Sequence, residues 1–272
     1  MNWKLPMTLR IISSGFCRLE GKVAIVTGGA SGIGKESVQL FAENGASVVI
    51  ADIQDELGHQ LAASLAPHKV SYHHCDVSDE KQVEQTTAFA VDKYGRLDVM
   101  FSNAGVVGSM EDILNLDLKA FDKTMAINVR GVAATIKQAA RAMVAHNIRG
   151  SIICTASVAG CVAGCAPHDY TASKHALVGL VRSACCELGA YGIRVNCVAP
   201  YAVATPLVCE ALEKGVDETE ALADSCANMK GISLKASHVA EAALFLASDE
   251  SVYISGHNLV IDGGFTVISR FP

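Results

Sequence analysis

Val23-Ala24-Ile25-Val26-Thr27-Gly28-Gly29-Ala30-Ser31-Gly32-Ile33-Gly34 decides the fold of this chain. Its first five residues form the short β-branched run expected of a strand buried on both faces. Glycines crowd the loop Gly28–Gly34, and a helical period then runs to about Asn44, where Asn44-Gly45 stops it. Strand, glycine turn and helix in that order let the backbone turn tightly and set the N–H groups of a helix start against a pyrophosphate. A second strand, Ser47–Ala51, ends in Asp52, about twenty residues further on, where a carboxylate accepts hydrogen bonds from adenosine ribose hydroxyls. That carboxylate would repel a 2′-phosphate. Neither Ala51 nor Ile53 supplies a cation, and Ser31 stands in the loop in place of a basic residue. The stretch therefore predicts a dinucleotide site that takes NAD in preference to NADP.

Beyond this unit strands and helices alternate. Helix Gln54–Leu65 is stopped by Pro67, and Val70–Cys75 is a third strand. Helix Asp79–Tyr94 is capped by Ser78 or Asp79 and ended by Gly95. Strand Leu97–Phe101 leads into Ser102-Asn103-Ala104-Gly105, followed by a long helical region, Phe121–His146. Then come strand Ile152–Ala156, helix Tyr170–Tyr191 and strand Arg194–Val198. Residues 201–230 read as polar, irregular or weakly helical, a flap rather than a core element. Helix His238–Ala247 and strand Leu259–Ile261 precede Asp262-Gly263-Gly264. The pattern predicts an α/β fold: a single-domain, doubly wound parallel sheet with helices on both faces. Nothing divides residues 20–272, which are expected to form one dinucleotide-binding catalytic domain.

Composition excludes several classes. Of 272 residues half are hydrophobic, and the formal charge of −6, with no basic stripe, argues against a nucleic-acid partner. No apolar run approaches the ~20 residues that span a bilayer. Residues 1–19 carry Lys4, Arg10, Arg18, Ser13 and Ser14, with no acid before Glu20. They read as a flexible extension, or as a weak targeting leader, so the expected location is the cytoplasm, or a plastid or other organelle if they address one. The ten cysteines are scattered through strands and helices and are expected to pack as small apolar side chains without disulfides. His73, His74, Cys75 and Asp76 alternate across a strand, so no metal site is expected.

Tyr170-Thr171-Ala172-Ser173-Lys174 places a phenol and an ammonium four apart, on one face of a helix start. A free phenol, with a pKa near 10, is too weakly acidic to act as a base at neutral pH; a neighbouring ammonium and a positive nicotinamide favour phenolate. Lowering it by roughly 2–3 units takes about 3–4 kcal/mol.

With the T-G-x-x-x-G-x-G pattern at Thr27–Gly34, the chain resembles the short-chain dehydrogenase/reductase family from Lys22 to its C-terminus. The resemblance implies a catalytic tetrad of Asn128, Ser157, Tyr170 and Lys174. Tyr170 would be the base, Ser157 would hold the substrate oxygen, and Asn128 would hold a water linking the lysine to solvent. It also implies cofactor binding by Gly28, Ser31, Gly32, Ile33, Gly34 and Asp52. Asp76 would meet the adenine amino group, with Val77 beside it, and Asn103, Ala104 and Gly105 match the N-A-G segment that borders the cofactor. Thr205 matches a threonine near the carboxamide, with Val203 beside it; Tyr170 and Lys174 complete the set. Tyr201 departs from the family pattern, which has glycine after that proline.

The segment between Ser157 and Tyr170 contains no Lys or Arg to pair with an anionic substrate. Val107, Ser157, Ala159, Cys165, Tyr170 and Tyr201 are the expected pocket residues, mostly small or apolar, and an apolar alcohol or its ketone would bind there by desolvation. The segments at Phe101–Gly105, Pro200–Leu207 and Ala247–Ser251 resemble the plant specialised-metabolism branch, which includes borneol, secoisolariciresinol, xanthoxin and 3β-hydroxysteroid dehydrogenases. That implies NAD-dependent oxidation of a monoterpenol such as borneol, with a 3β-hydroxysteroid as the alternative and a homotetramer as the assembly. A non-catalytic NAD-binding scaffold would have a broken tetrad, and an NADP-dependent ketoreductase on acyl carriers would want cations near the ribose.

Overall fold

The computed structural model describes residues 17–268. Alternation runs β1 (Val23–Thr27), α1 (Gly32–Glu43), β2 (Ser47–Asp52), α2 (Asp55–Ser64), β3 (Val70–His74), α3 (Glu80–Tyr94) and β4 (Val99–Ser102). It continues with α4 (Leu118–Met125), α5 (Val132–Ala145), β5 (Ser151–Thr155), α6 (His168–Leu188) and β6 (Arg194–Pro200). Helices α7 (Pro206–Leu212), α8 (Val216–Cys226) and α9 (Ala236–Ala247) precede β7 (Asn258–Ile261). The strands form one parallel sheet in the order β3-β2-β1-β4-β5-β6-β7.

Each central strand is buried on both faces, which is why its sequence is an unbroken apolar run. Val23, Ile25, Val49 and Ala51 point to the face covered by α3, α5 and α6. Ala24, Val26, Val48 and Ile50 point to the other, covered by α1, α2 and α9. Local chemistry sets the helix ends: Asp79 accepts from the Lys81 N–H at 2.9 Å to start α3, and Gly95, at φ 81°, ends it. The sheet order reverses between β1 and β4, which opens a crevice beyond the C-terminal ends of the strands. Thr27, Asp52, Ser102, Thr155 and Pro200 close their strands at that edge. Among the described residues no helix is long and apolar enough to cross a membrane.

Three features differ from the sequence reading. The long helix expected over Phe121–His146 is two helices joined by a π turn, Ala126–Gly131. One residue added to a helical turn leaves the apolar period almost unchanged, so patterning does not reveal it. The turn ends at Gly131, where a Cβ would lie 3.0 Å from the Val77 side chain. Residues 201–230, expected to be irregular or weakly helical, carry two defined helices, α7 and α8. Pro206 starts the first, and the Glu218 carboxylate accepts from the Gly215 N–H at 3.2 Å to start the second. The extension expected over residues 1–19 lies largely outside the described residues; within them, Leu19 is fully buried in the core and Arg18 pairs with Glu250.

Candidate active site

A cleft of about 990 Å³ lies over the switch point and gathers residues from six loops. Gly28, Ser31, Gly32 and Ile33 line it from the turn between β1 and α1, Asp52 from the end of β2, and Asp76 and Val77 from beyond β3. Asn103, Ala104, Gly105 and Val107 follow β4, and Val203 and Thr205 follow β6. Gly34 and Asn128 do not line the cleft; each acts on those that do.

The glycine turn is shaped by close backbone approach. Gly28 has φ 61°, and a Cβ there would sit 2.9 Å from the Ala104 Cα; a Cβ on Gly34 would overlap the Gly28 carbonyl. Asn103 stitches three strand ends together. Its side-chain amide donates to the Thr27 and Gly28 carbonyls at 3.1 and 3.3 Å, and its Oδ1 accepts from the Thr155 hydroxyl at 3.0 Å. Asp52 is held in place by three donors, the Ala30 N–H at 2.9 Å, the Gln54 N–H at 3.1 Å and the Gln54 side chain at 3.2 Å. Asp76 accepts from the Ser78 N–H and hydroxyl at 2.8 and 2.7 Å through Oδ1 alone. An open turn of backbone at a helix start, with a fixed carboxylate at the next strand end, fits a dinucleotide.

Ser157, Tyr170 and Lys174 meet on the floor of the cleft, where β5 ends and α6 begins. The Lys174 ammonium lies 5.3 Å from the centre of the Tyr170 ring and donates to the Thr155 carbonyl at 2.7 Å. Burial pushes the Tyr170 phenol up, and its hydrogen bond with Ser157 opposes that shift. Burial also pushes Lys174 down, to about 8, against weaker opposition from Cys197 and Cys154. The lysine neighbour alone therefore does not lower the phenol, and the sequence reading calls on a cofactor charge as well as the ammonium. Desolvation drives both groups towards neutrality.

Asn128 is fully buried in the π turn. Its Oδ1 accepts from the Val106 N–H and its Nδ2 donates to the Val106 carbonyl, both at 2.9 Å, and Nδ2 also meets the Ser173 hydroxyl at 3.1 Å. Ala159, Cys165 and Tyr201 line the outer part of the cleft. The Tyr201 ring packs tilted against Phe265, with ring centres 4.6 Å apart, and its hydroxyl donates to the Ala223 carbonyl of α8 at 3.3 Å.

Sequence reasoning expected residues 201–230 to form a flap over the substrate but named none of the α7 and α8 side chains that line the cleft. Leu207, Val208, Ala211, Leu222 and Cys226 of α7 and α8 also line the cleft. Their apolar spacing within two short helices was the available signal. It missed Asp169 as well, a buried carboxylate beside Tyr170, two of whose partners, Ser109 and Thr124, are distant in sequence.

A family profile described as Enoyl-(Acyl carrier protein) reductase matches residues 28–266. Short-chain dehydrogenase reductase 3b of Arabidopsis thaliana is 61% identical over 251 residues, 92% of this chain and 98% of that one. Zerumbone synthase of Zingiber zerumbet is 49% identical over 262 residues, covering 93% and 97%. A short-chain dehydrogenase/reductase structure from Mycobacterium marinum superimposes with a TM-score of 0.86 at 33% identity, over 93% and 98% of the two chains. Enzymes of this kind are dehydrogenases or reductases that use a nicotinamide cofactor. By sequence and by fold, this chain belongs to the short-chain dehydrogenase/reductase family.

Proposed function

We propose that the protein oxidises an apolar cyclic secondary alcohol to its ketone with NAD, a monoterpenol such as borneol giving camphor being the leading substrate. The carrying observation is the Ser157–Tyr170–Lys174 cluster on the floor of a cleft in which, among the described residues, Lys174 is the only Lys or Arg. Among the described residues an anionic substrate would find no other Lys or Arg there, whereas apolar walls reward desolvation of a hydrocarbon ring. Zerumbone synthase as a relative supports a terpenoid.

The choice of NAD rests on Asp52. Its carboxylate is held by three donors and sits where a ribose hydroxyl would bind and a 2′-phosphate would be repelled. Gly28, Ser31, Gly32, Ile33 and Gly34 would cradle the pyrophosphate, Asp76 and Val77 the adenine, and Val203 and Thr205 the carboxamide end. When bound, the nicotinamide supplies the acceptor for the carbinol hydride and a positive charge beside Tyr170. Burial raises the Tyr170 phenol against its Ser157 hydrogen bond, so Tyr170 would need a cation besides Lys174 to reach the phenolate. Ser157 holds the substrate oxygen, Tyr170 as phenolate takes the hydroxyl proton, and Lys174 keeps its charge near the phenol ring. Val107, Ala159, Cys165 and Tyr201 wall the ring of the substrate.

The test is NADH formation at 340 nm with bicyclic monoterpenols and 3β-hydroxysteroids, each with NAD and with NADP. Turnover of the monoterpenols with NAD is expected, reduced at least about 100-fold in Tyr170→Phe, the size of a lost acid–base group. Turnover of the steroids alone would move the substrate to the larger class, and silence on both would reject the assignment. The same preparation is expected to sediment as a homotetramer; a monomer would reject that assembly.

A further inference from the structure

Asp169, one residue before Tyr170, has no solvent exposure. No Lys, Arg or His pairs with it among the described residues. A carboxylate buried without a countercharge is costly unless donors surround it. Three do. Oδ1 accepts from the Tyr170 N–H at 2.7 Å, and Oδ2 accepts from the Ser109 N–H at 3.1 Å and the Thr124 hydroxyl at 2.8 Å. The start of α6 adds the favourable end of the helix dipole.

An ordinary acidic residue in a first helical turn needs only the first of these contacts. Here the second oxygen reaches across to residues 60 and 45 positions away. Gly108, at φ 86°, passes directly over the carboxylate, and a Cβ there would overlap both carboxylate oxygens. The loop Val106–Ser109 is thus fastened at both ends: Asn128 holds Val106 through two hydrogen bonds, and Asp169 holds Ser109. Both fasteners lead to Tyr170. The Asn128 amide meets the Ser173 hydroxyl, which donates to the Tyr170 carbonyl at 2.7 Å. Thr124, in α4, stands just before the π turn that carries Asn128.

We propose that Asp169 is a positioning residue that fixes the Val106–Ser109 wall of the pocket and the first turn of α6 to one another, and so sets Tyr170 against the substrate alcohol. Its effect on turnover rests on the dehydrogenase reading given above; its clamp on the loop does not. Val106 and Val107 line the cleft, so the carboxylate acts on the substrate from behind, through the wall and the base together.

The decisive variant is Asp169→Asn, equal in size, whose amide must turn a donor towards at least one donor that the carboxylate accepts. Hydrogen exchange is measured on the NAD-saturated protein, together with NAD affinity and steady-state kinetics. Exchange over residues 105–112 is expected to rise at least about tenfold as the loop opens locally. The kcat is expected to fall by about tenfold or more while the NAD Kd stays within about twofold, the split that marks lost positioning. Thr124→Val removes one donor and keeps the shape. It should give the same pattern at about threefold, and it decides the matter if Asp169→Asn does not fold. Unchanged exchange over 105–112 in a folded variant would overturn the clamp. Raised exchange with unchanged kcat would overturn the positioning role. If the wild type oxidises no alcohol on either panel, the dehydrogenase reading fails separately, and the exchange result alone upholds or overturns the clamp.

Discussion

On one side of the cleft the wall is backbone. Gly28 lies against Ala104, Gly34 lies against the Gly28 carbonyl, and the Asp52 carboxylate is held by two N–H groups and a side-chain amide. On the other side the wall is made of side chains: Leu207 and Leu222 line the cleft from α7 and α8 yet are 40% and 44% exposed. The difference is one of tolerance. Where main-chain atoms touch, a single added carbon has nowhere to go, because neither partner has a rotamer to change. Where exposed side chains form the wall, removing carbons widens a space that already opens to solvent.

Gly34→Ala should show this contrast at its largest. The new Cβ would overlap the carbonyl oxygen of Gly28 and press on the Asn103 side chain at 2.8 Å, so the turn must move as a whole. NAD affinity is expected to fall at least about 100-fold, with about 2–4 kcal/mol lost from stability, the range of severe backbone and overpacking changes. Titration of NADH fluorescence and urea unfolding measure the two. Normal NAD binding by Gly34→Ala would show that the turn can flex, and the contrast between the walls would not hold.

Between the walls stands Lys174. Burial holds its ammonium at about 8, below its ordinary 10.5, so from about 8 to about 10.5 the unfolded chain binds a proton that the folded chain does not. Folding stability therefore rises with pH across that window, and below it the buried charge costs the folded state on the order of 3 kcal/mol. Lys174→Met removes the charge. The stability of the wild type relative to this variant should move in favour of the wild type, by about 3 kcal/mol, between pH 7 and pH 10.5. Tyr170 is present in both chains, so its own titration largely cancels. Urea unfolding of the pair at both pH values measures the change. A difference that does not vary with pH would mean that Lys174 is hydrated, and that the floor of the cleft is as wet as the roof.

How much could be read from sequence follows the same division. The backbone wall is encoded locally: β1, the glycine turn and Asp52 lie within one strand–helix–strand unit, and β1 runs over the predicted residues Val23–Thr27. Tyr170 and Lys174 share a helical face, so their spacing alone brings them together. A flap at residues 201–230 was legible, but not which of its side chains face the cleft, because α7 and α8 are short and their apolar positions flank acidic runs, as Val216 and Leu222 flank Asp217-Glu218-Thr219-Glu220. Asn128 could be named from a motif, but not the π turn that buries it. Asp169 looked like any acid at a helix start, because what distinguishes it is reached only when Ser109 and Thr124 are folded against it.

The smallest effect is expected at the roof. Leu222→Ala removes three carbons from a side chain already 44% exposed, so global stability should stay within about 0.5 kcal/mol. Contact with a bulky alcohol would lose about 1 kcal/mol, which raises its KM roughly fivefold. A smaller alcohol that does not reach Leu222 should keep its KM, so the ratio of kcat/KM for the two substrates is the measurement. If both substrates fail equally, α8 is holding the catalytic floor in place as well as covering it. The roof would then be structural in the same sense as the glycine turn, and the contrast would lie in how the two walls are built, not in what they tolerate.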